Sequence, residues 1–286
     1  MGRPNVGKST LTNALVGEKI AIVTNKPQTT RNRICAVVNR EGCQFVFLDT
    51  PGLHKARTRL GDYMVKVVKE SVADVDAVLL LVEPIPHIGG PEAELIRRIK
   101  ELNVPAVLVI NKIDTVEKEE LLSVMQVYGA AHDFAAIVPI SAKRNEGVDE
   151  LLGLLAQFLP EGPQLFPEDM VTDQPERQVC AEIIREKLLL CLDKEIPHGT
   201  AVEITTFSER DDGIIDLDAT IYCEKASHKG IIIGKGGAML KKISTLARTD
   251  IEAFMGTKVF LQTWVKVKEN WRDNMNLIKN FGYRDE

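Results

Sequence analysis

The sequence predicts an α/β domain followed by an α+β domain, on three observations. From Cys35 to about Ile140, short apolar runs alternate with amphipathic stretches. Pro160, Pro163, Pro167 and Pro175 then crowd one short stretch. Beyond it comes another order of elements: a helix, two strands, a helix–glycine loop–helix, and a last strand. A length of 286 residues agrees, at roughly 150 residues per domain.

In the first part the strand candidates are Cys35–Asn39, Gln44–Leu48, Ala77–Val82, Ala106–Ile110 and Ile137–Ile140. Leu60, Tyr63, Met64 and Val67 follow helical i, i+3, i+4, i+7 spacing, as do Val148, Leu151, Leu152 and Leu155. Strands alternating with helices imply βαβ units, a mostly parallel sheet and helices on both of its faces. Residues 161–175 read as a proline-rich linker, leaving 1–160 and 176–286 as the two domains. In the second, Val179, Ile183, Ile184 and Leu190 mark a helix. Alternation marks strands near Ala201–Thr206, Ile214–Tyr222 and Val259–Val267.

Composition excludes several classes. Hydrophobic residues make up 44% and charged residues 27%, so the chain can bury a core. A net charge of −5 excludes a non-specific polycation while leaving room for a local basic patch. The apolar runs are far shorter than the ~18 residues of a membrane helix, and no apolar signal segment follows Met1. Five cysteines, an odd number without a CxxC pair, argue against a disulfide scaffold or zinc ribbon and fit a reducing cytosol.

Four separated motifs point to one ligand. Gly2-Arg3-Pro4-Asn5-Val6-Gly7-Lys8-Ser9, followed by Thr10, matches G-x-x-x-x-G-K-[ST]. Its glycines let backbone N–H groups approach phosphate oxygens, Lys8 supplies a cation for them, and the Ser9 hydroxyl can ligate Mg²⁺. Asp49-Thr50-Pro51-Gly52 follows the second strand; Asp49 can complete a Mg²⁺ shell and the Gly52 amide can sense a γ-phosphate. Asn111-Lys112-Ile113-Asp114 follows the strand Ala106–Ile110. Asp114 can accept two hydrogen bonds from guanine, whereas adenine offers no such donor pair and would leave it unpaired. Ser141-Ala142-Lys143 follows the next strand and can offer a backbone N–H to the guanine O6.

These residues resemble the translation-factor-like GTPases. On that resemblance Gln28-Thr29-Thr30-Arg31 is the first switch, with Thr30 (or Thr29) completing the Mg²⁺ shell and touching the γ-phosphate. The cofactors implied are GTP or GDP with Mg²⁺, and the catalytic group is Lys8, Thr30, Asp49 and Gly52. Leu53 stands where Ras-type proteins place a water-orienting glutamine, so slow intrinsic hydrolysis, accelerated by a partner, is implied. A P-loop normally follows a central strand, and here Met1 abuts Gly2. The expectation is a truncated start, with that strand missing.

In the second part, Ile231-Ile232-Ile233-Gly234-Lys235-Gly236-Gly237 carries G-x-x-G between helices. Such a turn lets a nucleic-acid backbone approach closely. From Lys225 to Arg248 stand six cations (Lys225, Lys229, Lys235, Lys241, Lys242, Arg248) and no acid. From Glu203 to Asp218 stand six acids and one arginine. The domain is polarised around the glycine loop, as a phosphate-backbone site requires. Splayed bases along an isoleucine-lined groove suit it better than stacking on aromatic rings. Ile233, Gly234, Lys235, Gly236 and Gly237, with Lys229, Lys241 and Lys242, are the candidate RNA contacts.

This part resembles a type-2 KH domain. The fold class is thus an α/β P-loop GTPase domain followed by an α+β type-2 KH domain. Together with Gln28-Thr29-Thr30-Arg31-Asn32-Arg33 and Asn280-Phe281-Gly282-Tyr283-Arg284, the pair is similar to the Era family of bacterial GTPases. The resemblance implies binding of small-subunit ribosomal RNA near its 3′ end, a role in 30S assembly, and a monomeric cytoplasmic protein with peripheral membrane association. The competing reading is an RNA-binding assembly module whose nucleotide half is disabled by the truncation.

Overall fold

The segment Ala106–Ile110 is apolar at every position, the signature of a strand buried on both faces. In the computed structural model, which describes residues 1–52, 58–70, 75–102 and 104–283, it is the centre of the first of two compact units. Along the chain this unit contains α1 (Lys8–Val16), β1 (Ile34–Arg40), β2 (Cys43–Asp49), α2 (Arg59–Glu70), β3 (Val78–Val82), α3 (Gly90–Leu102), β4 (Ala106–Ile110), α4 (Lys118–Ala131), β5 (Ala136–Pro139) and α5 (Val148–Leu155). The first turn of α2 groups with the second unit.

Strand β4 pairs in parallel with β3 on one side and β5 on the other. Its side chains alternate between two cores. Val107 and Val109 meet Leu11 and Leu15 of α1 and Leu151, Leu152 and Leu155 of α5. Ala106, Leu108 and Ile110 meet Leu95, Ile96 and Ile99 of α3 and Val124 and Tyr128 of α4. Helices therefore cover both faces. The register brings the carboxyl ends of β3, β4 and β5 level, so Glu83, Asn111 and Ser141 follow them along one edge. That edge is where open α/β sheets bind ligands.

Strands β1 and β2 form a separate antiparallel pair. The edges of β2 and β3 flank a cleft of about 320 Å³ lined by Leu11, Leu15, Phe45, Phe47, Leu79 and Leu155. Beside β3, the Met1 amino group donates to the Leu79 carbonyl at 2.6 Å and the Leu81 N–H donates to the Met1 carbonyl at 2.9 Å. One residue bonded to two residues spaced i, i+2 is parallel pairing.

The proline-rich stretch does not hang free. The Val37 N–H donates to the Val171 carbonyl at 2.9 Å, and the Thr172 hydroxyl donates to the Cys35 carbonyl at 2.7 Å. The Gln44 carboxamide grips the backbone of Phe166 in both directions, at 2.9 Å each. The bonds of Val37 and Cys35 cover the outer edge of β1, which would otherwise expose a row of unpaired backbone groups.

The second unit contains α6 (Glu176–Cys191), β6 (Ala201–Glu209), β7 (Ile215–Cys223), α7 (Ala226–Ile233), α8 (Ala238–Met255), β8 (Val259–Val267) and α9 (Met275–Asn280). Strand β7 is central, antiparallel to β6 and parallel to β8. Val179, Ile183 and Ile184 of α6 are buried as their spacing predicts, but Leu190 is 51% exposed. Helix α6 buries charged residues instead, each with partners. Arg185 donates to the Thr29 carbonyl and pairs with Glu182; Glu186 accepts the Val23 N–H at 2.9 Å; Lys187 pairs with Glu186 and Asp250. The segment Ile22–Thr29 thereby belongs to this unit.

Candidate nucleotide site and nucleic-acid interface

The glycine-rich loop runs from Gly2 into α1, whose first residue is Lys8. Gly7 has φ +99°, and a Cβ there would stand 2.2 Å from Asn111 Nδ2, so only glycine fits. That close approach is functional packing. Asn111, buried at the end of β4, donates from Nδ2 to the Val6 carbonyl at 2.8 Å and accepts the Ala142 N–H on Oδ1 at 3.0 Å. One carboxamide therefore ties the P-loop, the Asn-Lys-Ile-Asp turn and the Ser-Ala-Lys turn together. The Ala142 N–H, one of the three backbone donors of the Ser-Ala-Lys turn, is thus engaged by Asn111.

Lys8 folds back over its own loop, donating from Nζ to the Gly2 and Arg3 carbonyls at 3.1 Å each. Burial pulls its ammonium below the usual lysine range, against the attraction of Asp49. Thr10 follows in the first turn of α1, half-buried. The Ser9 hydroxyl donates to Asp49 Oδ2 at 2.7 Å and lies 2.9 Å from the Thr30 hydroxyl. Thr29 is occupied elsewhere: its hydroxyl donates to the Lys26 carbonyl at 2.6 Å and meets that of Thr24 at 2.7 Å. Of the two threonines, Thr30 is the one at Ser9 and Asp49.

Asp49 is buried, and its Oδ1 has no hydrogen-bond partner among the described residues. Burial pushes its carboxyl up, opposed first by Lys8 and then by the Ser9 hydroxyl. Two hydroxyls and a carboxylate with an orphaned oxygen make an all-oxygen donor set, which fits a hard divalent cation such as Mg²⁺. Thr50 and Pro51 are buried, and Gly52 backs onto Pro4 of the P-loop. Leu53 and Arg284 lie outside the described residues.

In the third motif, Lys112 adopts a left-handed backbone, φ 66°, and its Nζ donates to the Asn5 carbonyl at 2.7 Å. Ile113 donates its N–H to the Ile140 carbonyl at 3.2 Å, joining this turn to the end of β5. Asp114 Oδ1 accepts the Ser141 hydroxyl at 2.7 Å. Lys143 is exposed.

Glu83 and Glu92 were not among the expected residues. Glu83, directly after β3, pairs with both Arg3 of the P-loop and Lys112. Burial tends to raise its carboxyl, but these two cations outweigh it and hold it low. Glu92 takes Arg3 Nε at 3.2 Å. The signal for Glu83 was its place: a carboxylate following an apolar run, as Asp49 does.

In the second unit the glycine loop joins α7 to α8. A Cβ on Gly234 (φ +75°) would stand 2.7 Å from Met239 Cβ and 2.9 Å from Met239 N, so the turn needs glycine. Lys229, Lys235, Lys241 and Lys242 are all exposed. Ile232 points into the core, Ile231 is exposed and Ile233 half-buried.

A phosphate-cradling loop, an oxygen cluster and a base turn on one parallel sheet, with a glycine-loop α+β unit after them, define a P-loop GTPase joined to a KH domain. The sequence family described as 50S ribosome-binding GTPase matches residues 1–112, and the KH domain family matches residues 195–272. GTPase Era of Ruminiclostridium cellulolyticum is 53% identical over 284 residues, covering 99% of this chain and 95% of that protein. GTPase Era of Alkaliphilus metalliredigens is 52% identical, covering 99% and 96%. A crystal structure of a tyrosine-to-alanine variant of Aquifex aeolicus Era bound to GDP and AlF₄⁻ superposes with TM-score 0.95 at 38% identity, covering 99% of this chain and 97% of that one. Era in complex with MgGDPNP and nucleotides 1506–1542 of 16S ribosomal RNA superposes with TM-score 0.94 at 38% identity and the same coverage. The chain belongs to the Era family of GTPases.

The Ser141 hydroxyl holds the Asp114 carboxyl below the ordinary aspartate value of 3.8; burial opposes it, and Arg144 and Lys143 assist. A carboxylate held low in the folded state adds stability that is complete above 3.8 and fades as pH falls through the folded value. Ser141→Ala is expected to move this carboxyl back toward 3.8 in a carbon-detected NMR titration. An unchanged titration would contradict the assignment.

Proposed function

We propose that this chain binds guanine nucleotide with Mg²⁺, hydrolyses GTP, and engages small-subunit ribosomal RNA near its 3′ end during 30S assembly. Its domains on this reading are 1–160 for nucleotide, 161–175 as connector and 176–286 for RNA. The observation that carries it is the convergence at one sheet edge of the P-loop, the Ser9–Thr30–Asp49 cluster with its orphaned oxygen, and Asp114. The RNA half is supported by the glycine loop amid exposed lysines, and by the relative that was solved with a 16S fragment.

Backbone N–H groups of residues 2–8 and the α1 N-terminus would cradle the phosphates, with Lys8 on the β/γ oxygens. Ser9, Thr30 and Asp49 would hold Mg²⁺, which when bound neutralises charge on the phosphates. The Gly52 amide would sense the γ-phosphate. Asp114 reads the guanine edge, held in place by Ser141 and flanked by Lys112. Leu53 cannot hydrogen-bond water, so the nucleophile must be held by another group, and intrinsic turnover is slow until a partner accelerates it. Gly234–Gly237 admit the RNA backbone, with Ile233 beside them and Lys229, Lys235, Lys241 and Lys242 on the phosphates.

Among the described residues no helix is long and apolar enough to cross a membrane. The membrane association that the resemblance implies is peripheral. The competing reading, an RNA module with a disabled nucleotide half, requires that GTP bring no stabilisation.

Asp114→Asn is expected to exchange GTP preference for xanthosine triphosphate in competition titrations. Retained GTP preference would remove the guanine assignment. Gly236 is the place to test the RNA half. A Cβ there meets nothing within 4 Å, and at its φ of +59° aspartate is among the side chains least strained. Gly236→Asp should fold normally and lose at least about tenfold in RNA affinity, with a shallower salt slope. Unchanged affinity and slope would make the glycine loop a structural turn only.

A further inference from the structure

The acidic tract from Glu203 to Asp218 lies outside the candidate phosphate contacts. It forms the β6–β7 hairpin, whose residues alternate between two faces. Leu217, Ala219 and Ile221 join the core with Ile232, Ile243, Ala247 and Ile251 of α7 and α8. Asp216, Asp218, Thr220 and Tyr222 therefore take the opposite face. Strand β8 divides the same way. The Thr263 hydroxyl meets Ser244 of α8 at 2.8 Å, and Val259 and Val265 are buried. Phe260, Gln262, Trp264 and Lys266 are exposed. Register sets Phe260 opposite Asp216, Gln262 opposite Asp218, and Trp264 opposite Thr220, with Glu203 on the far side of Thr220. Phe260 is 47% exposed and Trp264 44%, so two large rings stand beside Asp216 and Asp218 on the part of this face that is accessible, while Thr220 and Tyr222 are buried, Tyr222 under the Phe281 ring at 4.6 Å.

One end of this face shows what it attracts. The Arg210 guanidinium carbon lies 5.2 Å from the Phe260 ring centroid. Arg210 Nε donates to Asp216 Oδ2 at 2.7 Å, and Nη2 donates to Oδ1. A guanidinium thus lies over a ring while held by the carboxylate opposite that ring. Around Trp264 the same parts recur. Asp218 is its diagonal neighbour, about 7–8 Å away across the strands and within reach of long side chains. The Asp218 carboxylate has no ion-pair partner among the described residues. Glu203 accepts the Tyr222 hydroxyl at 2.8 Å. Lys266 stands two residues further along β8, opposite Tyr222.

We propose that this face docks an arginine-bearing protein segment, with one guanidinium stacked on Trp264 and paired to Asp218. Indole is the best ring for a cation, and arginine's planar fork can stack and pair with a carboxylate at once. RNA is the disfavoured occupant, because Glu203, Asp216 and Asp218 oppose phosphate. The unit's lysine-rich helices pack on the other face of the sheet.

Trp264 reports on its own occupancy, since the chain's other tryptophan, Trp271, is fully buried. The full chain would be titrated with an acetylated, amidated peptide of alternating glycine and arginine, following tryptophan fluorescence. Saturable binding is expected, weakened about fivefold or more by Asp218→Asn and, with a labelled peptide, by Trp264→Leu. The matching glycine–lysine peptide should bind about fivefold more weakly. Guanine-nucleotide affinity should be the same in all three proteins. The proposal is overturned by equal peptide binding in wild type and both variants, by no saturable binding, or by a Trp264 signal that answers an oligoribonucleotide and not the peptide.

Discussion

The carboxamide of Asn111 is the joint on which the nucleotide half depends. It is buried at the end of β4, the one strand that is paired on both sides in its sheet, so its position is set by the core of the first unit. It holds the Val6 carbonyl and the Ala142 amide, two backbone groups that sit in tight turns with no strand to pair with. Losing it would leave both buried groups unsatisfied, at about 1–3 kcal/mol each. The same carboxamide explains why position 7 carries no side chain. The rest of the site hangs from this joint: Lys112 reaches across to Asn5, and Glu83 binds Arg3 and Lys112 together.

The sequence made the sheet legible where burial was unambiguous. Strand β4 was readable at its bounds because a run apolar at every position has one stable setting, between two helical layers. Helices α3 and α4 were not singled out, since their apolar stripes are interrupted by charged residues such as Arg97, Arg98 and Glu120. In α6 the period misled at Leu190, because Arg185 and Glu186 take buried positions through polar partners that no hydrophobic pattern registers. The proline stretch was legible as irregular chain, but its docking on β1 and β2 depends on Gln44 meeting Phe166, Val37 meeting Val171 and Thr172 meeting Cys35, each across more than a hundred residues.

Among site residues, motif spacing located the turns and left the local choices open. Thr29 and Thr30 are indistinguishable in sequence; their hydroxyls part only when one bonds Lys26 and Thr24 and the other meets Ser9. The net charge of −5 likewise averages two poles of the second unit. Strand alternation separates them, placing the lysines with α7 and α8 and the carboxylates on the open face of the sheet.

The most direct test of this account is a calorimetric titration of GDP with Mg²⁺ into the wild-type chain and into Asn111→Ala. Tight binding to the wild type and a loss on the order of a hundredfold in the variant are expected, with RNA affinity unchanged. Equal affinity in the two proteins, or no binding to the wild type, would contradict the claim that this joint assembles a guanine-nucleotide site.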